Sequence, residues 1–304
     1  MPVDAQLLTE LAASLSPETV FRRDEPLAKR TTLHVGGSAD AYVEPVSESE
    51  LAVLLRFCSQ RGLSFFLLGR GSNLLVKDAG IRGVVICLAQ PAFSQVQVAG
   101  DRLRCGAGAR LKTVAAEAKR AGLTDLEFLE GIPGSVGGAL RMNAGAMGQW
   151  TFDVVETVRF MDLGGQVHER KVADIPVQYR GCPLFRDHLV LTAVLRGEPA
   201  ARERIAGRAE AFNRKRWASQ PALPSAGCIF KNPESIPAGK LIDELGLKGT
   251  RIGGAAVSEE HANFIVNEGS ATAADILRLI ELIQDKARIH RGIKLETEVE
   301  IVGE

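Results

Sequence analysis

The stretch Gly131-Ile132-Pro133-Gly134-Ser135-Val136-Gly137-Gly138-Ala139 decides how this chain is read. Four glycines and a proline in nine residues leave little side chain to pack. Inside a folded domain such a backbone presses against a flat or charged ligand, or against the protein itself. A second turn, Asn143-Ala144-Gly145-Ala146, makes the ligand reading a two-sided cradle. Upstream, Gly69-Arg70-Gly71-Ser72-Asn73-Leu74 follows a short apolar run, Ser64–Leu68. Glycines there let backbone N–H groups approach an anion, and Ser72 and Asn73 add donors. The third glycine of a dinucleotide fingerprint is missing, Leu74-Leu75-Val76 opens no evident helix, and no Gly-Lys-Ser/Thr follows. The motif is therefore neither a Rossmann turn nor a P-loop, and an ordinary tight turn stays open.

Periodicity places elements around these turns. Leu7, Leu8, Leu11 and Leu15 share a helical face that Pro17 ends, and Ala41–Val43 reads as a strand. Ser47 to Glu50 matches a capping box, with Leu51, Leu54, Leu55 and Cys58 as the apolar stripe up to Gly62. Val84–Leu88 reads as a strand, and Val96 to Cys105 as a hairpin about Gly100-Asp101. Leu111, Val114, Ala115 and Ala118 make a helix ending at Gly122. Strands are expected near Val154–Met161, Gln166–His168 and Leu189–Leu195, and a polar, basic helix over about Arg202 to Arg216. Near the end, Thr272 and Asp275 form a capping box for an apolar stripe of Ile276, Leu279, Ile280, Ile283 and Ala287. Gly292 closes that helix. Ile293 to Ile301 then alternates apolar and charged residues, which predicts a strand with one acidic face.

The chain has 304 residues, 45% of them hydrophobic, enough for a sizeable core and about two domains. Glycine, at 31 residues, exceeds the usual share of about 7% without any Gly-X-Y period, so the excess belongs to tight loops. Lys+Arg and Asp+Glu are 37 each. That balance argues against a nucleic-acid or anionic-membrane partner drawn by bulk charge, and leaves room for a local basic pocket. The five cysteines form no CxxC, which reads as reduced thiols and a cytoplasmic setting. Met1-Pro2-Val3-Asp4 lacks a basic region and an apolar run, so no signal peptide is expected. Apolar runs such as Val84 to Ala89 are far short of the ~20 residues a membrane helix needs.

The candidate chemistry is acid–base rather than metallic. The five histidines show no HExxH or His-Cys spacing, so no metal site is expected. A Cys-His pair assembled in space from Cys228 or Cys182 is not decided by sequence. Ser225-Ala226-Gly227-Cys228-Ile229-Phe230-Lys231-Asn232-Pro233 sets a thiol, an ammonium and an amide within five residues. A thiol is a competent general acid near neutrality; a buried cysteine in a turn is the alternative. Glu298 lies between Glu296 and Glu300. Crowded carboxylates with partial burial make one of them an acid, against the alternative of a solvated edge.

Together these segments resemble the UDP-N-acetylenolpyruvoylglucosamine reductase family of bacterial flavoenzymes, specifically its compact branch without an extra substrate-covering insertion. The likeness runs from Thr31 to Glu304. It rests on Thr31–Gly37, Gly69–Leu74, Glu130–Gly138, Met142–Ala146, Tyr179-Arg180, Pro224–Pro233, Ala238–Ile242, Gly246–Gly249, His261–Asn267 and Leu295–Val299. It implies an α+β chain: a two-subdomain FAD-binding fold of the vanillyl-alcohol-oxidase type at 1–198 (core about 30–196), and a smaller α+β substrate domain at 199–304. The last strand, about 293–302, is expected to pack back near the FAD domain. The resemblance implies non-covalent FAD, NADPH as co-substrate and a nucleotide-sugar substrate; a monomer is expected, and the charge balance and short apolar runs point to no nucleic acid and no membrane. It implies reduction of UDP-N-acetylglucosamine enolpyruvate to UDP-N-acetylmuramate, with hydride delivered to C3 and a proton to C2. The family's roles fall on Arg180 and Glu298 for the carboxylate and enolate, and on Cys228 as proton donor, where most relatives carry serine. Gly69, Arg70, Gly71, Ser72, Asn73, Leu74, Gly131, Ile132, Pro133, Gly134, Ser135, Gly137, Gly138, Asn143, Ala144, Gly145 and Ala146 would line the flavin. Tyr179, Lys231 and Asn232, with the run Arg214–Arg216, would face the nucleotide sugar. Two other readings stand beside this one: a same-fold FAD oxidoreductase of another substrate, and a non-catalytic flavin- or nucleotide-sugar-binding relative.

Overall fold

The structure, a computed structural model, describes residues 3–304; Met1 and Pro2, part of the stretch read for a leader, lie outside it. The chain forms two compact units that are not contiguous in sequence. The first comprises residues 3–23, Asp40–Arg70 and Gly83–Lys215; the second comprises Asp24–Ala39, Gly71–Arg82 and Arg216–Glu304. By contact, then, the chain divides elsewhere than at the 198/199 boundary expected from sequence. Two early segments belong with the C-terminal part, and most of the basic helix belongs with the first unit.

The first unit carries helices α1 (Ala5–Ala13), α2 (Glu48–Arg61), α3 (Pro91–Ser94), α4 (Leu111–Arg120) and α5 (Val136–Met142), and most of α6 (Arg202–Trp217). A five-stranded antiparallel sheet runs in the order Val167–Lys171, Val155–Met161, Leu189–Arg196, Arg102–Gly106, Val96–Ala99. A four-stranded sheet, in the order Val20–Pro26, Ser38–Glu44, Ile81–Cys87, Phe65–Leu68, lies mainly in this unit. In it Phe65–Leu68 pairs in parallel with Val84–Cys87. Leu51, Leu54 and Leu55 of α2 and Leu111, Val114 and Ala118 of α4 join Val84, Ile86, Leu103, Val158 and Leu191 of the sheets in one buried cluster. These are the positions the 3.6 and 2 periods assign to the core. Ser47 caps α2 by accepting from the N–H of Glu50, but Glu50 reaches Ser16, Thr19 and Val46 instead of closing the reciprocal bond.

The second unit pairs Ser225–Cys228, Phe264–Asn267, Ala255–Val257 and Arg251–Ile252, in that order, as an antiparallel sheet. Helices α7 (Ala238–Glu244) and α8 (Ala273–Arg291) cover it with Leu241, Ile242, Ile276, Leu279, Ile280 and Ile283. The expected capping box on α8 is complete, Thr272 and Asp275 bonding each other's N–H, and Gly292 ends the helix with φ +65°. The strand expected over Ile293–Ile301 is shorter, Glu300–Val302, in parallel with Leu74–Val76. The preceding residues keep the alternation, with Leu295 and Val299 buried, but meet Ile229–Lys231 through single bonds rather than a ladder. Among the described residues no helix is long and apolar enough to cross a membrane.

Candidate active site

Unit one contains a cavity of about 320 Å³ at the ends of Phe65–Leu68 and Ile81–Cys87. Its apolar lining includes Leu67, Leu68, Leu88 and Val190. One wall is Ala107–Arg110, and another is Ser135, Gly137 and Gly138 at the start of α5. These two segments are tied together: Val136 and Gly137 donate to the carbonyls of Ala109 (3.0 Å) and Ala107 (2.8 Å), and Leu111 donates to Gly134 (3.1 Å). A Cβ on Gly137 would stand 3.2 Å from the Cβ of Ala107, a tight contact that the neighbouring segment could admit only by giving way a few tenths of an ångström. The glycine tract thus packs partly on the protein itself and partly faces open space.

The cavity's charge is one-sided. Arg70, Arg110 and Arg141 line it, and among the described residues no carboxylate does. Arg70 and Arg110 make no ion pair and no side-chain hydrogen bond among the described residues. Of the expected flavin residues, Gly69, Arg70, Ser135, Gly137 and Gly138 line this cavity. Gly71–Leu74 belongs to the second unit, where Asn73 donates its amide to the carbonyl of Glu298 (3.0 Å). Gly131–Gly134 and Asn143–Ala146 do not line the cavity. Arg110 and Arg141 escaped the sequence reading because a lone arginine carries no spacing signal.

A second constellation in the first unit centres on Arg180. Gln178 and Gly181 exchange both backbone hydrogen bonds, 2.9 and 3.2 Å, around Tyr179-Arg180. Arg180 takes φ +56° there, a conformation that glycine adopts freely and arginine does not. Asn143, itself at φ +41°, holds this turn: its amide donates to the carbonyl of Gln178 (3.4 Å), and its carbonyl accepts from the N–H of Phe152 (3.4 Å). Arg180 Cζ lies 5.2 Å from the ring centre of Trp150 and 5.5 Å from that of Tyr179.

The second unit brings Cys228 and Glu298 together. A bulge with Gly227 at φ +78° separates the two pairings of Ser225–Cys228 with its neighbour strand. Ile229, next to Cys228, accepts from the N–H of Glu298 (2.7 Å), while the buried Asn263 grips both backbone groups of Phe230, at 2.9 and 2.8 Å. Asn263 was not singled out from sequence; its signal is an amide inside an apolar strand pattern. Lys231 pairs with Glu296 at 3.3 Å, so Glu296 carries a counter-charge. Asn232 accepts from the N–H of Ala238 (2.9 Å) and thereby fixes the start of α7. Cys182, the other thiol considered, is fully buried in the first unit, and burial pushes its pKa up. His261 is held below the ordinary imidazole range by burial, and its Nδ1 accepts from the N–H of Asn263 (3.2 Å). No cluster of three or more potential metal ligands occurs among the described residues.

Residues 220–302 match the family model of the UDP-N-acetylenolpyruvoylglucosamine reductase C-terminal domain, and residues 39–170 match an FAD binding domain. A UDP-N-acetylenolpyruvoylglucosamine reductase of Geobacter metallireducens is 44% identical over 303 residues, 98% of this chain and 99% of the relative. One from Geotalea uraniireducens is also 44% identical, covering 97% of each chain. This chain belongs to the UDP-N-acetylenolpyruvoylglucosamine reductase family. The family's crystal structure from Thermus caldophilus superposes with a TM-score of 0.81 at 37% identity, covering 94% of this chain and 99% of that one. The expected α+β class, with an FAD-binding part and a C-terminal α+β part, agrees with these matches. Within the reductase family's expected residue set, Tyr179 and Arg180 lie on one turn of the first unit. Cys228, Lys231, Asn232 and Glu298 share one neighbourhood of the second.

Proposed function

We propose that this protein is the NADPH-dependent, FAD-containing reductase that converts UDP-N-acetylglucosamine enolpyruvate to UDP-N-acetylmuramate, a peptidoglycan precursor. The observation that carries the reading is the 44% identity over nearly the whole length of reductases so named. The residues present suit the cofactor. FAD carries a dianionic pyrophosphate, and the first unit's cavity has three arginines, a hydroxyl at Ser135 and no carboxylate. Its apolar lining residues suit a flat ring. Gly69, Arg70, Ser135, Gly137, Gly138, Arg110 and Arg141 would hold the cofactor non-covalently. The first unit is accordingly the flavin-binding one, and the second carries substrate residues.

When bound and reduced by NADPH, FAD supplies the hydride that adds to C3 of the enolpyruvyl group. That addition builds enolate charge on the substrate carboxylate. The guanidinium of Arg180 grips this carboxylate with two N–H groups and lowers the cost of the charge. The carboxyl group of Glu298 acts with Arg180 on the enolate. The thiol of Cys228 gives its proton to C2, completing the saturated lactyl ether. Tyr179, Lys231 and Asn232 orient the nucleotide sugar. Five cysteines with no CxxC pair suit a reducing, cytoplasmic setting, and a monomer completes the reading. The test is the visible spectrum of the purified protein. Yellow, acid-releasable FAD should bleach with NADPH and return on adding the enolpyruvyl substrate. A protein that takes up no flavin on reconstitution, or whose bleached flavin ignores that substrate, ends the reading.

A further inference from the structure

Trp150 stands on a two-strand hairpin, Gly145–Ala146 with Gln149–Trp150, in the register Gln149 to Ala146 and Trp150 to Gly145. Met147 and Gly148 close it with φ +56° and +82°, the paired positive angles of a primed turn. A Cβ on Gly145 would stand 2.4 Å from Cε3 of Trp150, so the indole lies directly over the glycine. The next residues are pinned as well. Thr151 bonds the carbonyl of Ala144 through both its N–H (2.9 Å) and its hydroxyl (2.7 Å), and Asp153 accepts from the N–H of Trp150 (2.8 Å). The indole is therefore a fixed surface on an element separate from the Arg180 turn.

The Arg180 turn needs such a surface. A non-glycine residue at positive φ is strained and persists only where its surroundings hold it. Tyr179 sits on the same turn, is 53% exposed, and moves with it. The ring of Trp150 meets that of Tyr179 edge to face, 5.7 Å apart at 77°, and the guanidinium faces both. A ring face attracts a cation within about 6 Å without taking up an N–H donor, which suits a fork whose donors are meant for a carboxylate.

We propose that Trp150 is a positioning residue for the reaction: it holds the guanidinium of Arg180 in the orientation that receives the substrate carboxylate. This rests on the assignment of Arg180 to that carboxylate, so the experiment separates the two. Stopped-flow absorbance follows both half-reactions in holoenzyme carrying Trp150→Ala, Trp150→Phe or Arg180→Lys. Trp150→Ala should bleach with NADPH at the wild-type rate, yet be reoxidised by the enolpyruvyl substrate about tenfold more slowly. Trp150→Phe, which keeps a ring face, should recover most of that loss. The chain holds two tryptophans, so in a Trp217→Phe background the emission of Trp150 reports on Arg180 directly. Titrating oxidised enzyme with substrate should change it saturably, and Arg180→Lys should remove the change. Wild-type reoxidation in Trp150→Ala, with Arg180→Lys slow, overturns the positioning role alone. Equal slowing of both half-reactions in Trp150→Ala, unrelieved by phenylalanine, also overturns it, because that marks a folding defect. Wild-type reoxidation in Arg180→Lys overturns the carboxylate assignment and the positioning role with it.

Discussion

At the scale of single residues, the five thiols are chemically unequal although the sequence spells them alike. Cys58, Cys105 and Cys182 are at most 1% exposed, and burial pushes Cys58 up to about 11 and Cys105 up to about 12. Cys87 and Cys228 are half-buried. A maleimide should therefore label Cys228 in the native holoenzyme, Cys87 only once the flavin is removed because it lines that cavity, and the other three only after unfolding, read by peptide mass. Substrate should protect Cys228. The raised values of Cys58 and Cys105 carry a sign for stability. Both states hold the proton below an ordinary thiol pKa of about 9, and there the stabilisation is complete. Above it the unfolded chain ionises first, so stability falls as pH rises towards about 12. Urea midpoints should decline across that window, and less steeply in a Cys58→Ala, Cys105→Ala double variant. Cys228 itself should behave as an acid. Cys228→Ala should still be bleached by NADPH and stall with substrate. Cys228→Ser should keep partial activity and move the alkaline limb of the oxidative half-reaction upward, because a hydroxyl does not ionise where a thiol does. Near wild-type turnover in Cys228→Ala, with Glu298→Gln inactive, would transfer the proton to Glu298.

At the scale of elements, what was legible is what repeats. The apolar stripe of α8 and the alternation of the 96–105 hairpin each run long enough for a period to show. Thr272→Ala should cost about 1 kcal/mol by removing the side-chain acceptor of the α8 cap, measurable as a lower urea midpoint with activity kept. The glycine tract was legible as a site and not as a helix. Gly137 and Gly138 each weaken a helix by about 1 kcal/mol, so local preference argues against α5. The helix forms because Ser135 caps it and Ala107–Leu111, distant in sequence, ties its start. The strands Arg251–Ile252 and Ala255–Val257 are two and three residues long, too short for any period to appear. Gly137→Val should distort the cavity wall at Ala107 and reduce flavin content in the purified protein, while far-UV dichroism stays near wild type.

For the whole molecule, composition conceals the feature that matters most. Equal numbers of acids and bases give a net charge of zero, yet the first unit's cavity gathers Arg70, Arg110 and Arg141 with no carboxylate. The pairing that offsets the remaining charge is spent elsewhere, as in Arg102 with Asp101 and Glu156, or Arg159 with Glu48. A basic cavity in a neutral protein stores no long-range attraction for polyanions; it serves an anion that enters it. If that anion is the FAD pyrophosphate, its binding must depend on the arginines and on salt. Apo-protein carrying Arg70→Gln and Arg110→Gln should bind FAD about tenfold more weakly than wild type, since each exposed cation contributes roughly 1 kcal/mol or less. Wild-type affinity should fall as ionic strength rises, and the double variant's should fall less. Added FAD should raise the melting temperature of wild-type apo-protein, and of the variant by a smaller step at the same concentration. Riboflavin, which has the ring and no phosphate, separates charge from shape: its weaker binding should be the same in both proteins. If the double variant binds FAD as tightly as wild type, the pyrophosphate is held by other groups and the cavity's charge has another use. If it loses riboflavin as well, the substitutions have damaged the pocket itself, and single replacements at Arg70 and Arg110 should then show which wall collapsed.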